Sequence, residues 1–230
     1  MASNPVVILI SGGLDSTVTA ALAKAEGHDL HLLTIDYGQR HCYEIECAKR
    51  IAEWLEAKEH KILSLDLGIF GGSALTDHIP VPTDRPSHER EHGIPVTYVP
   101  ARNTIFLSLA LAYAEVLKAN TIYFGANIRD YSGYPDCRPE FIQAFMEVAR
   151  QGTRLGQEGQ GIEILAPLLF MTKREIIQKG HALHVPFGFT SSCYQPDPDH
   201  RPCGHCDSCL IRKEGFQEAQ ISDPALTPSC

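Results

Sequence analysis

The feature that most constrains this chain is an apolar strand that runs straight into a glycine turn and a helix, in the segment VVILISGGLDSTVTAALAKA at residues 6–25. Residues 6–10 are apolar at every position, and such a run without alternation is typical of a strand covered on both faces. Alanine and leucine then recur at helical spacing over residues 15–26. A buried strand followed at once by a helix predicts a parallel sheet with helices on its faces.

The same alternation continues along the chain. Four further strands are predicted in HDLHLLTIDYG, ending at Asp36, and in HKILSLDL, TIYFGAN and IEILAPL. Four further helices are predicted in EIECAKRIAEWLEA, NTIFLSLALAYAEVLKA, RPEFIQAFMEVARQGTR and TKREIIQKGHAL, the last with a capping box between Thr172 and Glu175. The pattern predicts an α/β fold with an open, doubly wound parallel sheet of about five strands.

Two segments depart from this alternation. Residues 71–100 carry five prolines and three histidines, which indicates either a functional lid or an unstructured excursion. The tail from Pro186 is rich in Pro, Cys, Asp and Gly, and we expect no regular layer there. A length of 230 residues suits one large domain with a small appendage, so we predict an α/β domain over residues 1–185 and a small C-terminal element, packed on it, over 186–230.

The turn SGGLDS indicates a phosphate site. Glycines let successive backbone N–H groups point at an anion, and the following helix adds its positive end. The alternative is a plain Gly-Gly turn in which Asp15 or Ser16 caps the helix. The segment has neither the lysine of a Walker-type loop nor the G-x-G-x-x-G of a dinucleotide fingerprint. The pattern therefore favours a phosphate loop of a third kind.

Four of the eight cysteines form a C-x9-C-x2-C-x2-C pattern, made by Cys193, Cys203, Cys206 and Cys209. Four thiolates at this spacing suit a closed, tetrahedral, structural Zn²⁺ site. An iron–sulfur cluster and unpaired or redox-active cysteines are the alternatives. The tail lacks core-forming sequence and needs a staple, which favours zinc.

The formal net charge of −8 disfavours partners that bind through basic patches, which are nucleic acids and anionic membranes. The apolar run at residues 5–10 is too short to span a membrane and lacks the flanks of a secretory signal. Clustered cysteines in such a chain indicate a reducing compartment. We therefore expect a cytoplasmic protein without nucleic-acid or membrane partners.

The loop resembles the SGGxDS loop of the PP-loop ATP pyrophosphatases at Ser11, Gly12, Gly13, Asp15 and Ser16. Within that group the chain resembles the 7-cyano-7-deazaguanine synthase family (the QueC family). The matching segments are DYGQRH at residues 36–41, PARNTIFLS at 100–108, GANIRDYSGYPDCRPEF at 125–141, PLLFMTKREII at 167–177, and SSCYQ followed by CGHCDSCLIRKEGF. They span most of the chain, and no departure is found in them.

The resemblance implies an ATP-dependent carbon–nitrogen ligase. The family's reaction converts 7-carboxy-7-deazaguanine and ammonia to 7-cyano-7-deazaguanine, by adenylation of the carboxylate and then of the amide, on the route to the queuosine base of tRNA. It also implies ATP as substrate with Mg²⁺, one structural Zn²⁺ per subunit and a homodimer.

The resemblance also implies roles for individual residues. The nucleotide is expected at the loop and its flanks, which are Ile10, Ser11, Gly12, Gly13, Leu14, Asp15, Ser16, Thr17 and Val18. Asp15 is expected to help position Mg²⁺, and Asp130 and Asp136 to recognise the guanine-like edge of the substrate. Arg102, Arg138 and Lys173 are candidates for holding the carboxylate or the phosphates. Each has a plain alternative, as a turn cap for the aspartates and as a surface or helix-start residue for the cations.

Two other functions remain open from the sequence. A tRNA thiolase of the PP-loop group would need a reactive cysteine, for which Cys137 is a candidate, and a basic surface. A zinc-containing DNA-binding regulator would need a basic helix, and Arg212 and Lys213 are the basic residues close to the cysteines. Both rank below the ligase.

Overall fold

The computed structural model describes residues 4–90, 93–129 and 133–225. Its centre is one five-stranded sheet in which every strand pair is parallel. The strands are β1 Pro5–Leu9, β2 Asp29–Asp36, β3 Glu59–Ser64, β4 Thr121–Tyr123 and β5 Glu163–Leu165, and their order across the sheet is β3-β2-β1-β4-β5. The prediction of an open parallel sheet of about five strands is confirmed.

Eight helices accompany these strands in the described ranges. They are α1 Leu14–Ala25, α2 Tyr43–Trp54, α3 Ser87–Arg90, α4 Arg102–Leu117, α5 Pro139–Gly152, α6 Arg154–Gln157, α7 Lys173–Ala182 and α8 Asp207–Ala219. Short 3₁₀ turns lie at Gly68–Phe70, Pro135–Cys137 and Phe187–Phe189. None of the helices in these ranges has the length and apolarity needed to cross a membrane.

Strand β1 explains why the sheet is wound on both faces. Alternate residues of a strand point to opposite faces, and Val7 and Leu9 pack in one cluster with Leu107 of α4 and Phe145 of α5. Val6 and Ile8 pack instead with residues of α1 and α2, which are Ala20, Ala23, Ala48 and Ile51. Because both faces are covered, the strand is apolar at every position, as a central parallel strand requires.

The tail contains a helix that the sequence reading missed. Helix α8 runs for 13 residues where no regular layer was expected, and Phe216 on it packs with Val18 of α1 and Ile176 of α7. The inward face of α8 is partly polar, since Asp207 and Arg212 are buried, so the apolar periodicity that marks a helix is weak. The predicted boundary between residues 185 and 186 stays a prediction.

Residues 71–100 are fastened to the tail. Thr83 forms an antiparallel bridge with Cys206, and Arg85 donates two hydrogen bonds to Asp207, one of them at 3.2 Å. Ala74 and Val81 pack against the clustered cysteines. The segment therefore contributes one wall of the cysteine-rich element, and its described residues contain little regular structure apart from α3.

Candidate active site

The candidate site lies where the strand order reverses. Strand β1 has β2 on one side and β4 on the other, and ligands of open α/β sheets bind beyond the carboxyl ends of the strands at such a switch point. A cavity opens there, lined by Ile10 after β1, Tyr37 after β2 and Phe124 after β4. The phosphate loop and part of the tail complete its wall.

The loop has the geometry of an anion site. Gly12 adopts a φ of +86°, which an L side chain rarely tolerates. The Ser16 Oγ accepts a hydrogen bond from the Ser11 backbone N–H at 3.2 Å, and Thr17 Oγ1 donates to the Gly13 carbonyl at 2.7 Å. No side chain caps the N-terminus of α1 at Gly13. The first-turn N–H groups of α1 are thus left for a ligand rather than a cap.

Two glycines, Gly12 in the loop and Gly125 after β4, allow the loop to pack closely on neighbouring backbone. A Cβ on Gly12 would lie 2.1 Å from the carbonyl oxygen of Glu44 in α2, and a Cβ on Gly125 would lie 3.0 Å from the Cα of Ser16. The loop is therefore clamped between α2 and the segment after β4. This contact explains why the turn needs glycine and why its shape is fixed.

Asp15 and Lys173 meet at the cavity. The Lys173 Nζ donates to Asp15 Oδ1 at 2.6 Å, and their side chains are 11% and 20% exposed. The capping box predicted for α7 is present, because Thr172 N donates to Glu175 Oε2 at 2.7 Å and Glu175 N donates back to Thr172 Oγ1 at 3.3 Å. Lys173 is therefore not a plain surface lysine, because its side chain is largely buried against Asp15.

The other predicted site residues divide into two groups. Arg102 lines the cavity and its Nη1 donates to the Tyr37 hydroxyl at 3.4 Å. Asp136 is buried behind it, is absent from the cavity wall and accepts the Asn103 backbone N–H at 3.0 Å, as a cap on α4 would. Arg138 is exposed at the start of α5. Asp130 lies outside the described residues. The proposed roles of these residues stay predictions.

Most of the nine loop positions border the same space. The residues that line the cavity are Ile10, Ser11, Gly13, Leu14, Asp15 and Ser16. Gly12, Thr17 and Val18 lie behind them, and Thr17 and Val18 are completely buried. Nucleotide binding by the nine positions stays a prediction. Gly12 and Thr17 would contribute to it through the shape of the turn.

Sequence reasoning missed a second set of cavity residues, which are Tyr37, Gln39, Glu44, Ser191, Ser192 and Tyr194. The signal for Tyr37 and Gln39 was available, because they follow β2 directly. The Gln39 side chain accepts the Tyr37 backbone N–H at 2.8 Å. Burial raises the pKa of the Glu44 carboxyl to about 7, while Arg102 and Gln39 act to lower it.

Cys137 also borders the cavity. Its Sγ lies 3.3 Å from Asn103 Nδ2. Burial, with the nearby Asp136 carboxylate, raises the pKa of the Cys137 thiol to about 12. A thiol that holds its proton so firmly is the opposite of an activated nucleophile.

The four cysteines predicted as metal ligands come together. The sulfur atoms of Cys193, Cys203, Cys206 and Cys209 all lie within 4.8 Å of one another, and all four thiols are free of disulfides. A tetrahedral site with Zn–S bonds of about 2.3 Å separates its sulfurs by about 3.8 Å. Backbone N–H groups of Gln195 and Cys203 donate to the Cys193 sulfur at 3.3 and 3.2 Å. The donor set fits a structural metal ion.

The cysteine cluster is joined to the cavity wall. Cys193 stands between Ser192 and Tyr194, which both line the cavity, and the Ser191 backbone N–H donates to the Gly12 carbonyl at 3.0 Å. Two of the clustered cysteines lie at the start of α8, Cys206 as its N-cap residue and Cys209 in its first turn. A metal at the cluster would therefore hold one side of the candidate site in place.

Arg212, on α8, faces inward. It forms two hydrogen bonds with Asp223, at 2.7 and 2.9 Å, and donates to Thr190 Oγ1 at 2.7 Å. Both members of this ion pair are buried. Arg212 thus ties the tail together and is not presented on a basic outer face.

Comparison with curated proteins gives relatives that match nearly their whole length. A 7-cyano-7-deazaguanine synthase of Desulfatibacillum aliphaticivorans is 57% identical over 95% of this chain and 94% of its own. The proteins of the same name from Syntrophus aciditrophicus and Myxococcus xanthus are 55% and 54% identical, with 96% and 95% of both chains covered.

Among solved structures the fold is similar to two enzymes of low sequence identity. An NMN synthetase from Francisella tularensis matches with a TM-score of 0.51 and 16% identity, over 99% of this chain and 90% of that one. A 4-thiouridine synthetase, solved in a complex with RNA and bound ATP, matches with a TM-score of 0.52 and 17% identity, over 94% of this chain and 50% of that one. These similarities support the α/β fold, and they do not identify a substrate for this chain.

The family comparison agrees with the relatives. The model of the family described as queuosine biosynthesis protein QueC matches residues 5–220, which include the phosphate loop, the cavity segments after β2 and β4 and all four clustered cysteines. By this match and by its relatives, the chain belongs to the QueC family of queuosine biosynthesis proteins.

Proposed function

We propose that the protein is an ATP-dependent carbon–nitrogen ligase that converts 7-carboxy-7-deazaguanine and ammonia to 7-cyano-7-deazaguanine, known as preQ0, in queuosine biosynthesis. One observation carries the proposal: relatives named 7-cyano-7-deazaguanine synthase are 52–57% identical over nearly the whole of both chains. The lysine-free phosphate loop at the sheet's switch point is the kind of site that this reaction needs.

The chemistry explains the need for ATP. A carboxylate does not react with ammonia because its leaving group would be oxide. Transfer of AMP from ATP to the carboxylate oxygen releases pyrophosphate and creates a good leaving group. Ammonia then displaces AMP and forms the amide. A second transfer of AMP, to the amide oxygen, lets AMP depart again and leaves the carbon–nitrogen triple bond.

The residues of the cavity supply roles for this sequence of steps. The loop from Ser11 to Ser16 and the uncapped end of α1 would hold the departing pyrophosphate. Asp15, fixed by Lys173 at 2.6 Å, would help to hold Mg²⁺, which neutralises phosphate charge. Arg102 is suited to the substrate carboxylate or a phosphate, and Arg138 remains a candidate for the same task. Asp130 and Asp136 remain candidates for the edge of the deazaguanine.

The cysteine cluster would hold one structural Zn²⁺. Four thiolates fill a tetrahedral site and leave no open position for a reactant, so the ion would act on architecture alone. Its contribution would be to keep Ser191, Ser192 and Tyr194 at the cavity wall. Zinc is favoured over an iron–sulfur cluster because nothing in the cavity calls for electron transfer.

Two other functions are disfavoured by particular observations. A thiolase that used Cys137 would need a low thiol pKa, and burial raises that pKa to about 12. A DNA-binding regulator would present Arg212 outward, and Arg212 is buried against Asp223. On the charge and the family resemblance we also propose a cytoplasmic homodimer whose partners are small molecules and not nucleic acid or membrane.

A product assay tests the proposal. The zinc-loaded protein is incubated with 7-carboxy-7-deazaguanine, MgATP and ammonium, and the products are identified by mass spectrometry. We expect the nitrile and AMP, with ¹⁵N from labelled ammonium in the nitrile. If folded, zinc-loaded protein forms no nitrile from this substrate, the proposed function is wrong. If ADP replaces AMP, the loop has been misread.

A further inference from the structure

Two carboxylates line the cavity among the described residues, and they stand in different surroundings. Asp15 is paired with Lys173 at 2.6 Å. Glu44 lies in the first turn of α2, partly buried, on the cavity wall. Because the backbone of Glu44 packs directly on Gly12, its position relative to the phosphate loop is fixed by main-chain contact. The cavity thus holds a second carboxylate at a set place beside the SGGLDS loop.

The titratable groups that face Glu44 from outside α2 come from β2, from the segment after it and from α4. Asp36 ends β2, Tyr37 follows it, and Arg102 begins α4. Burial raises the pKa of Glu44 to about 7, Arg102 and the Gln39 side chain oppose that rise, and Asp36 adds to it. The same cavity is lined by Arg40, His41 and Lys173. A carboxyl that titrates near neutrality can both accept and release protons at working pH.

The proposed reaction has protons to dispose of. When ammonia attacks the acyl-adenylate, a C–N bond forms, the C–O bond to AMP breaks, and one N–H proton must leave. When the adenylated amide collapses to the nitrile, the second C–O bond to AMP breaks and two more N–H protons leave. Three protons therefore depart from nitrogen in each turnover, and Asp15 is held by Lys173.

We propose that Glu44 is the group that accepts the nitrogen protons in both halves of the reaction. The role rests on the proposed function, since it needs nitrogen as the second substrate. It makes Glu44 a catalytic residue on the α2 wall of the cavity, with a task different from that of Asp15, which would serve the phosphates. Adenylation of the carboxylate itself moves no nitrogen proton, so that step should not need Glu44.

The test separates these two steps. Exchange of labelled pyrophosphate into ATP, with 7-carboxy-7-deazaguanine and without ammonium, reports adenylation alone, and nitrile formation reports the whole reaction. We expect Glu44→Gln to lower the rate of nitrile formation by about 100-fold or more, with exchange close to the wild-type rate. Glu44→Asp, which keeps a shortened carboxylate, should keep part of the rate. Glu46→Gln is the control, since Glu46 is exposed on the same helix and pairs with Lys49 at 2.6 Å.

Each outcome of these assays either supports or refutes the role of Glu44. Wild-type rates of nitrile formation in Glu44→Gln would overturn the role, and so would a loss of exchange as large as the loss of nitrile. Metal content and thermal unfolding are measured for each variant, and Glu44→Asp carries the test if Glu44→Gln does not fold. If the wild-type protein itself forms no nitrile, the proposed function fails and this role fails with it. If the wild type forms the nitrile and Glu44→Gln forms it at the same rate, the role of Glu44 is refuted and the proposed function is not.

Discussion

Asp15 and Lys173 are 158 residues apart in the chain and 2.6 Å apart at the cavity. The importance of Asp15 could be predicted from the sequence, because the SGGLDS pattern lies between a strand and a helix. Its partner could not be identified, since Lys173 is one of several lysines and its neighbour depends on how α7 packs on α1. Glu44 was missed for the same reason, because its place follows from the contact between α2 and Gly12.

The charge of Asp15 should be needed for AMP formation. Asp15→Asn keeps the shape of the side chain but removes the charge that pairs with Lys173 and would hold Mg²⁺. We expect AMP formation to fall by about 100-fold or more, with the zinc content unchanged. Asp29→Asn, in a surface ion pair with Lys58 at 3.7 Å, should form AMP normally. Loss of zinc in Asp15→Asn would mean that the loop and the cysteine cluster are not separate sites.

A second prediction uses the pKa of Glu44, raised from 4.5 to about 7 in the folded protein. As the pH rises from about 4.5, Glu44 ionises in the unfolded chain before it ionises in the folded protein. The free energy of unfolding of the wild type therefore decreases until the pH passes about 7. Glu44→Gln cannot ionise and escapes this loss. The free energy of unfolding of the variant, relative to that of the wild type, should therefore increase by about 1–3 kcal/mol between pH 5 and pH 8. Urea unfolding at several pH values measures it, and a constant difference would contradict it.

Among the elements, the five strands and the five longest helices before the tail were predictable because their apolar spacing follows the sheet and helix periods. Helix α8 was not, because its buried face carries Asp207, Ser208 and Arg212. Asp207 pairs with Arg85, which is 122 residues away in the chain, and Arg212 pairs with Asp223 beyond the end of the helix. A helix that buries polar groups in this way has little apolar periodicity to reveal it.

Helix α8 packs closely on α7 at Gly215. A Cβ on Gly215 of α8 would lie 2.3 Å from Lys173 Cγ and 3.0 Å from Ile177 Cδ1. Glycine inside a helix costs about 1 kcal/mol relative to alanine, so its presence here has a packing reason. Gly215→Ala should displace Lys173 from Asp15 and destabilise the protein by about 1–3 kcal/mol, with slower AMP formation.

Gly152→Ala is the matched control for this contact. Gly152 ends α5, and a Cβ there would meet no atom within 4 Å. We expect its unfolding free energy and AMP formation to stay near wild type. If Gly215→Ala is as stable and as active as Gly152→Ala, the contact does not position Lys173.

At the scale of the whole molecule, the tail and the α/β layers build one site together. The cysteine pattern predicted a metal cluster, but nothing in the spacing indicated that Cys193 carries Ser192 and Tyr194 to the cavity or that Ser191 bonds to Gly12. Residues 71–100 add to the same assembly through Thr83 and Arg85. Such long-range contacts are set by packing and have no local sequence signal.

This assembly predicts a loss of stability if the cysteine cluster can no longer hold a metal ion. Cys206→Ser removes one of the four clustered thiols at a buried position, so we expect less bound zinc, a lower thermal midpoint and a destabilisation on the order of several kcal/mol. Nitrile formation should fall too, because the wall of Ser191–Tyr194 would lose its anchor. Cys42→Ser replaces an exposed thiol outside the cluster and should keep zinc and activity. Full zinc content in Cys206→Ser would refute the four-cysteine site.

The most direct test of the account is the ratio of AMP to nitrile in a single reaction. If one phosphate loop activates the carboxylate and then the amide, two AMP and two pyrophosphate form for each nitrile, and the amide appears before the nitrile in a rapid-quench time course. We predict a ratio of two and an amide that is itself converted to nitrile with one AMP. A ratio of one, or an amide that the protein does not convert, would contradict the claim that this loop acts twice.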